Sequence, residues 1–539
     1  MVNYASPSGR SVYIPLTRAA ATIPFLVAAS NASEQVRARA DFLCDGVADN
    51  VQIQQAIDAL PAGGGKVQLS EGTCTIAAPI RLRNGTVLQG QGRSSYNPTT
   101  GSIIFVANNA KIGAIHLKDV EVTHFELLDF TIDGNKVNQG TLGSTTLNGA
   151  IDAVVTSLVV TATTNFPTTV PFVIDIDSET LIVTAIAGTT FTVVRAARRS
   201  TAATHANLAT VTLSAPMGIY IDYVGTTIVN SAKNLIEHVT IANCAGDGME
   251  IYTPVGMNGG FGAVHDCIAW SNDGRGFRVQ GADMFWAHCN SHRNGSWGWR
   301  IISGGAAGQY VNCRASQNGQ VSVANGAGFY VSGANICMFT DCWSGENLGV
   351  GFRIGSADHM FTGCVAIENG TTAARKAGFH VEAGGDYAQF IGCNARDEQI
   401  GDSREQNYGL LIDAGATDVH WVGGKFYGNW GSTGNARDGA YSDAGTRTQI
   451  RDAVIIEIDT TGGVVTPGMT EERGVTSVAD GGTIAHNLGK APTRVICTAT
   501  IAGEFVSVTA LAATTFTVAI KKHDGTVGTT ANVYWQAFR

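Results

Sequence analysis

From Cys244 to Gly424 the chain alternates apolar and polar residues in short runs, as in Phe277-Arg278-Val279 and Phe352-Arg353-Ile354. Alternation with a period of two predicts strands and not helices. The runs recur, and three landmarks keep their register. Cys244, Cys267, Cys289, Cys313, Cys342, Cys364 and Cys393 follow one another at steps of 22 to 29 residues. Each of the last six is followed by a glycine and a large apolar residue: Gly276-Phe277, Gly298-Trp299, Gly328-Phe329, Gly351-Phe352, Gly378-Phe379 and Gly409-Leu410. An aromatic residue (Trp286, Tyr310, Phe339, Phe361, Phe390) stands three positions before each of the last five cysteines. Self-similarity at this period is the signature of a solenoid. Three short strands and their turns in about 22 residues describe one coil of a parallel β-helix, so the fold class is all-β, with one cysteine facing inward per coil.

Neighbouring coils lie roughly 4.8 Å apart, close enough for disulfides. The small residues two positions after the cysteines (Ala269, Ser291, Ala315, Ser344, Ala366, Ala395) point instead to a narrow core of packed thiols. No CxxC or Cys/His cluster at zinc spacing occurs. Before the repeats, Asp49 is placed to cap a short helix with Val51, Ala56, Ile57 and Leu60 as its apolar face, ended by Gly63-Gly64-Gly65. Such a helix would cover the open end of the solenoid, where strand edges are unpaired.

Composition narrows the function. Glycine supplies 66 of 539 residues and charged residues only 15%, which suits a turn-rich solenoid. A net charge of −9 argues against nucleic acid as the main partner. No apolar run is long enough to span a bilayer, Ile23 to Ala29 included, and the N-terminus lacks the charged and apolar pattern of a secretion leader. Free thiols fit synthesis in a cytoplasm, with action outside after lysis.

The stretch Asp45-Gly46-Val47-Ala48-Asp49, the helix, Gly65-Lys66-Val67, Glu71-Gly72-Thr73 and Leu88-Gln89-Gly90-Gln91-Gly92 resembles the start of pectate-lyase-like, right-handed β-helix proteins, many of them bacteriophage tailspikes and polysaccharide depolymerases. The resemblance covers residues 38–135 as motif and 216–460 as repeat. It implies a right-handed β-helix, a polysaccharide substrate, action on a virion or outside the cell after host lysis, and a homotrimer. The faces buried in the trimer would carry Ile268, Trp270, Trp343, Val365 and Ile367. The expected organisation is an N-terminal attachment arm to the virion (1–37), capping helix and first coils (38–139), an inserted small β module (140–215), the main β-helix (216–460), a linker (461–473) and a C-terminal β-sandwich (474–539). Within the insert, Thr161 to Phe166, Phe172 to Asp177, Thr180 to Ala185 and Thr190 to Arg195 read as strands. The C-terminal part, with Ala485-His486-Asn487-Leu488-Gly489, is similar to tail-fibre β-sandwiches.

Candidate chemistry lies beside the Gly-aromatic strand. Its outward residues down the solenoid are Glu250, Arg278, Arg300, Tyr330, Arg353, His380 and Leu411, and the next outward row contains Tyr252, Gln280 and Glu382. Several cations a few Å apart repel unless they face an anion, so Arg278, Arg300, Arg353, Glu250 and Glu382 are candidate substrate-binding residues. Cysteine to aromatic takes 10 residues in short coils but 15 to 17 after Cys313, Cys364 and Cys393. These insertions gather at one corner and would wall a groove. Four residues past the cysteines stand Glu346 and Glu368, one coil apart, with Asp397 beyond and Asp247 and Asp273 in earlier turns. Asn272, Asn294, Asn318, Asn347 and Asn369 form a ladder expected to be structural.

Two mechanisms fit this face. In a lyase, Arg300 and Arg353 neutralise a uronate while Tyr330 or His380 moves the C5 proton. In a glycoside hydrolase, Glu346 and Glu368, or Asp273 with a neighbour, form the acid pair. A turn row of Asp266, His288, Asn312 and Asp341 is an alternative location. Acidic turns leave room for calcium, although no D-x-D-x-D-G loop is present; no other cofactor is expected. The non-catalytic alternative is a glycan-binding receptor spike or adhesin using the same groove.

Overall fold

The computed structural model describes residues 24–118, 122, 124–223, 233–253, 261–281, 284–302, 308–322, 326–333, 336–371, 376–398, 405–429, 441–458, 464–465, 471–486, 491–492, 494–499, 504–512, 514–522, 525–529 and 531–538. It is a right-handed parallel β-helix. A typical coil consists of Met284–Ala287, Asn290–His292 and Trp299–Ile302. Each strand pairs in parallel with its counterpart one coil on, as in Trp286↔Tyr310, Ser291↔Ala315 and Arg300↔Tyr330. The Gly-aromatic strands stack into one 11-stranded sheet running from Ile80–Leu82 to Tyr441–Asp443.

Every landmark of the repeat faces the core. The seven expected cysteines are free and buried, but only Cys267 to Cys393 form one ladder: Val239 holds the rung before Cys267, and Cys244 stands in line with Asn272 at the next corner. Several ladder Sγ atoms lie near a carbonyl of the preceding coil, as Cys267 does to Ile236 O at 3.6 Å. Tyr310, Phe339, Phe361, Phe390 and Trp421 stack at 4.8, 4.7, 5.0 and 5.2 Å between centroids. Trp299, Phe329, Phe352 and Phe379 stack beside them. A parallel register repeats each ring at one coil spacing, and stacked pairs add about 0.5–1.5 kcal/mol each beyond their burial.

Two corners turn each coil by putting one residue at positive φ. At the first it is His238 and then the residue before the cysteine (Asp266, His288, Asn312, Asp341), and at the second Asn243 and then the residue before the ladder asparagine (Ser271, Arg293, Gln317, Glu346, Glu368). Asn, Asp and Gly take this conformation most readily. The asparagines that follow hold the second corner: Asn272, Asn294, Asn318 and Asn347 each donate Nδ2 to the next Oδ1 at 2.9 to 3.0 Å, fully buried.

Several boundaries differ from the expected ones. The solenoid begins before residue 38, because Phe25–Ala28 pairs in parallel with Phe42–Leu43 and Gly65–Leu69; residues 1–23 of the expected arm lie outside the described residues. The helix is Asn50–Ala59, and its buried face is Ile53, Ala56, Ile57 and Leu60. Val51 points to solvent, since positions 53, 56, 57 and 60 make the helical stripe. Asp49 precedes the helix, but its carboxylate accepts from Gly46 N and Thr75 N, tying the helix start to the neighbouring strand. The insert is a six-stranded antiparallel sheet with its own core, including Phe172, Ile174, Leu181 and Phe191. Thr161 to Phe166 is a turn, not a strand, and Ser157–Val159 takes the edge position.

The C-terminal segment forms two three-stranded antiparallel sheets from Glu471 to Phe538 around Ile484, Phe516, Val518 and Trp535. His486 packs over Phe516, while Asn487 to Gly489 and most of the expected linker lie outside the described residues. Of the lateral residues expected at trimer contacts, Trp270, Trp343 and Val365 are half-buried and two are nearly buried. Ile268 and Ile367 are 8% and 9% exposed, and Arg314 lies over Trp343 at 5.1 Å. The exposed large apolar side chains of these coils include Met360, Ile391 and Val422 on the first strands and Val321, Ile336 and Tyr387 in the turns. No described helix is long and apolar enough to cross a membrane.

Candidate functional site

The outward column of the 11-stranded sheet is continuous in register: Arg81, His116, Tyr220, Glu250, Arg278, Arg300, Tyr330, Arg353, His380 and Leu411 occupy successive rungs. The inserted module divides it. The module leaves the chain between Glu126–Asp133 and Ile219–Asp222, which is the same corner where the long loops after Asn318, Asn369 and Asp397 emerge. It is the largest of a series of insertions at one edge, and it folds over the first rungs.

Under this roof Glu250 is held in a closed ion pair. Arg198 of the module grips Glu250 with both ends of its guanidinium, Nε to Oε2 at 2.8 Å and Nη2 to Oε1 at 2.9 Å, and lies over the Tyr220 ring. Tyr252 donates its hydroxyl to the same carboxylate at 3.1 Å. Val173, Met217, Tyr220 and Tyr252 seal the contact. Burial raises the Glu250 carboxyl and the bidentate arginine opposes it. Burial, then the Arg198 charge, pushes the His116 imidazole down to about 3, so it stays neutral. Glu250, expected on the open substrate face, is 2% exposed, because the module occupies the space in front of it.

Beyond Tyr252 the column opens and its character changes. Arg278 lies over Tyr252 at 5.4 Å. Arg300 sits over Tyr330 at 4.0 Å and over Trp297 at 5.2 Å, and Arg353 covers Tyr330 at 4.5 Å from the next rung. Tyr330 separates Arg300 from Arg353 and takes a guanidinium on each side, whereas Arg278 and Arg300 stand on adjacent rungs. Arg275 completes the cluster over Trp297 at 5.0 Å and bonds Asp247 at 2.9 Å. Against the cost of burial, Arg275 and Arg278 hold Asp247 down at about 2.

The arginines are not equivalent. Arg353 is paired with Glu382, Nε to Oε1 at 2.8 Å. Arg300 has no carboxylate within ion-pair distance among the described residues; its one hydrogen bond is a long one, 3.4 Å, to its neighbour's carbonyl at Ile301. Burial lowers it to about 10, and Arg275, Arg278 and Arg353 push the same way. It remains charged at neutral pH and is short of an anion. Arg278 Nε is likewise buried without a partner. His380 Nε2 stands 3.0 Å from Asp413 Oδ2, out of line for a hydrogen bond.

The acids lie apart from this cluster. Glu346 and Glu368 are consecutive members of the second corner, since Gly345 pairs with Ile367. Gln317 donates to Glu346 at 2.6 Å. Burial, then Asp397 and Glu346, raise the Glu368 carboxyl. Asp397 is fully buried and accepts the backbone N–H groups of Glu405 and Gln406, which marks it as a loop anchor. Asp273 is ion-paired with Lys136 at 2.7 Å. Among the described residues no contact joins Glu346, Glu368 or Asp273 to Arg300 or Tyr330. Trp297 and Arg275 were missed as site residues, although both stand directly before the repeat glycine (Gly298, Gly276), a column that the register already exposed.

Fold and column together define a β-solenoid with a half-roofed, cation-lined outer sheet. No family model and no curated protein matches the chain. Among solved structures it is similar to the A-module of a mannuronan C-5 epimerase of Azotobacter vinelandii, at 18% identity and TM-score 0.48 over 77% of this chain and 95% of that one. It is also similar to tailspike protein gp49 of Pseudomonas phage LKA1, at 13% identity and TM-score 0.38 over 90% and 92%. A third similar structure is tailspike protein 2 of Escherichia coli O157:H7 bacteriophage CAB120, at 13% identity and TM-score 0.48 over 91% of this chain and 60% of that one.

Proposed function

We propose that the chain is a tailspike-like depolymerase that acts on an acidic bacterial or algal polysaccharide laid along the open half of the column, from Arg278 to His380. The observation that carries this reading is Arg300, a guanidinium set over two aromatic rings with no carboxylate of its own among the described residues. A half-buried cation without a counter-ion is poorly compensated, and a uronate carboxylate supplies the missing partner through a charge-assisted hydrogen bond. Trp297 and Tyr330 offer apolar ring surface for sugar faces beside it.

In this reading the reaction is an elimination. Arg300 neutralises the uronate and stabilises the charge that builds on it when the C5 proton leaves. Tyr330, between Arg300 and Arg353, takes the C5 proton and returns a proton to the glycosidic oxygen as the C4–O bond breaks and the C4–C5 double bond forms, with His380 one rung past Arg353 as the alternative acid–base group. Glu382 orients Arg353. A hydrolytic reading draws on one observation, the raised Glu368 beside Glu346, the arrangement of an acid and its partner. The arm and the trimeric state implied by the tailspike resemblance would place this groove on a virion.

The test is incubation of the full chain with a panel of acidic polysaccharides, following both the ultraviolet absorbance of unsaturated uronate and the appearance of reducing ends. Both signals rising together support elimination. Reducing ends alone shift the chemistry to Glu346 and Glu368. Tight binding with neither signal makes the chain a receptor-binding spike, and no binding overturns the proposal.

A further inference from the structure

The first corner of the early coils carries an arrangement that the groove does not use. Asp129, His238, Asp266 and His288 stand at the bend of four successive rungs, all at positive φ, so acid and imidazole alternate along the solenoid edge. Donor atoms of Glu237, His238 and Asp266 lie within 4.8 Å of one another. The details are those of a ligand set. His238 Nδ1 meets Asp129 Oδ1 at 3.2 Å, and Asp129 is itself fixed by Gln89, whose Nε2 donates to Oδ2 at 2.7 Å. A carboxylate on one ring nitrogen orients the imidazole and leaves the other nitrogen as a lone-pair donor, the usual outer contact of a metal-bound histidine.

The other nitrogen, Nε2, is 3.7 Å from Asp266 Oδ2. That is too long for a hydrogen bond. It matches two ligands of one ion, which at bond lengths of about 2.1 Å stand roughly 3.0–3.7 Å apart. Glu237 has no hydrogen bond or ion pair among the described residues and is close enough to supply the third ligand. His288 Nδ1 lies 4.0 Å from Asp266 Oδ1 on the next rung.

We propose that Glu237, His238 and Asp266 form a site for a borderline divalent transition ion of the zinc class, with Asp129 as a positioning residue and His288 available as a fourth ligand. An imidazole with two carboxylates suits such an ion, whereas calcium takes six to eight oxygens. The ligands come from two consecutive coils and the positioning residue from a third, so the ion would staple coils just after the module is inserted.

The experiment uses the full chain, stripped with chelator, titrated with Zn²⁺ by calorimetry and with Co²⁺ by visible absorption, alongside His238→Ala, Asp266→Asn and Asp129→Asn. The expected result is one equivalent bound per chain, a cobalt spectrum that disappears in His238→Ala, and a rise in melting temperature with zinc that is lost in His238→Ala and Asp266→Asn. Asp129→Asn should weaken binding on the order of 10- to 100-fold while keeping the stoichiometry. If His238→Ala fails to fold, Asp266→Asn gives the same readout. An absence of saturable binding, or the same affinity in the wild type, His238→Ala and Asp266→Asn, overturns the site. Unchanged affinity in Asp129→Asn overturns the positioning role.

Discussion

The roofed and open halves of the outer column are the same sheet, built by the same repeat, yet they treat charge in opposite ways. Under the inserted module, Glu250 faces Arg198 in a closed bidentate pair and His116 is held neutral by burial. A few rungs on, Arg300 lies half-buried among aromatic rings and other cations with no carboxylate in reach among the described residues. The repeat alone would give both halves the same exposure. The difference comes from one insertion at one corner, and it separates charge kept for holding the fold from charge kept for a ligand.

The strongest way to break the comparison is to remove the clamp of the roofed half. Glu250→Ala should destabilise the chain by about 3–5 kcal/mol, the cost of stranding a buried cation. Arg198→Ala should do nearly the same, while the double variant should recover part of the loss. Chemical denaturation followed by tryptophan fluorescence checks this.

Acid should act next, again on structure. Burial holds His116 down at about 3 and His359 down at about 4, whereas in the unfolded chain each titrates near about 6.5. The unfolded state therefore binds protons first as pH falls. Stability is fully present above about 6.5 and drains below it, by up to about 1.4 kcal/mol per pH unit for each group, until the folded values are reached. Denaturation midpoints between these limits should show the slope, and His116→Leu should flatten it.

In the open half the effects should fall on binding. Arg300→Ala should weaken an acidic oligosaccharide by about 1.5–3 kcal/mol, roughly 10- to 100-fold, with the melting temperature unchanged or raised. The smallest effect is expected from Glu382→Ala. It breaks a partly exposed pair worth about 0–1 kcal/mol of stability, but it frees Arg353, so affinity for the anion should hold or rise. A fall in affinity would assign Glu382 to the ligand and not to Arg353.

The coil, its inward cysteines and aromatics, and the asparagine ladder were legible because a parallel solenoid repeats each contact at a fixed sequence offset. The outward column was legible for the same reason, and Arg300↔Tyr330↔Arg353 is as the spacing implies. The roof was not. Arg198 meets Glu250 across 52 residues through a module with its own sheet, and no periodicity links them. The helix face failed at Val51 because one apolar residue off the stripe cannot be told from one on it without the partner strands. The solenoid start was misplaced because Phe25–Ala28 is a single short strand ahead of the first recognisable motif. The two glutamates were found by counting, but the positive φ that turns them at the corner is a backbone property that Glu does not announce.

The central claim is that the open half is short of an anion. It is tested most directly by calorimetry with an acidic oligosaccharide and its neutral counterpart, in which each uronate is reduced to the hexose, at low and moderate salt. The account predicts that the acidic ligand binds at least about tenfold more tightly, one lost charge-assisted hydrogen bond being worth at least about 1.5 kcal/mol, that salt narrows the gap, and that Arg300→Ala closes most of it. Equal affinity for the two ligands, or an undiminished preference in Arg300→Ala, would contradict it.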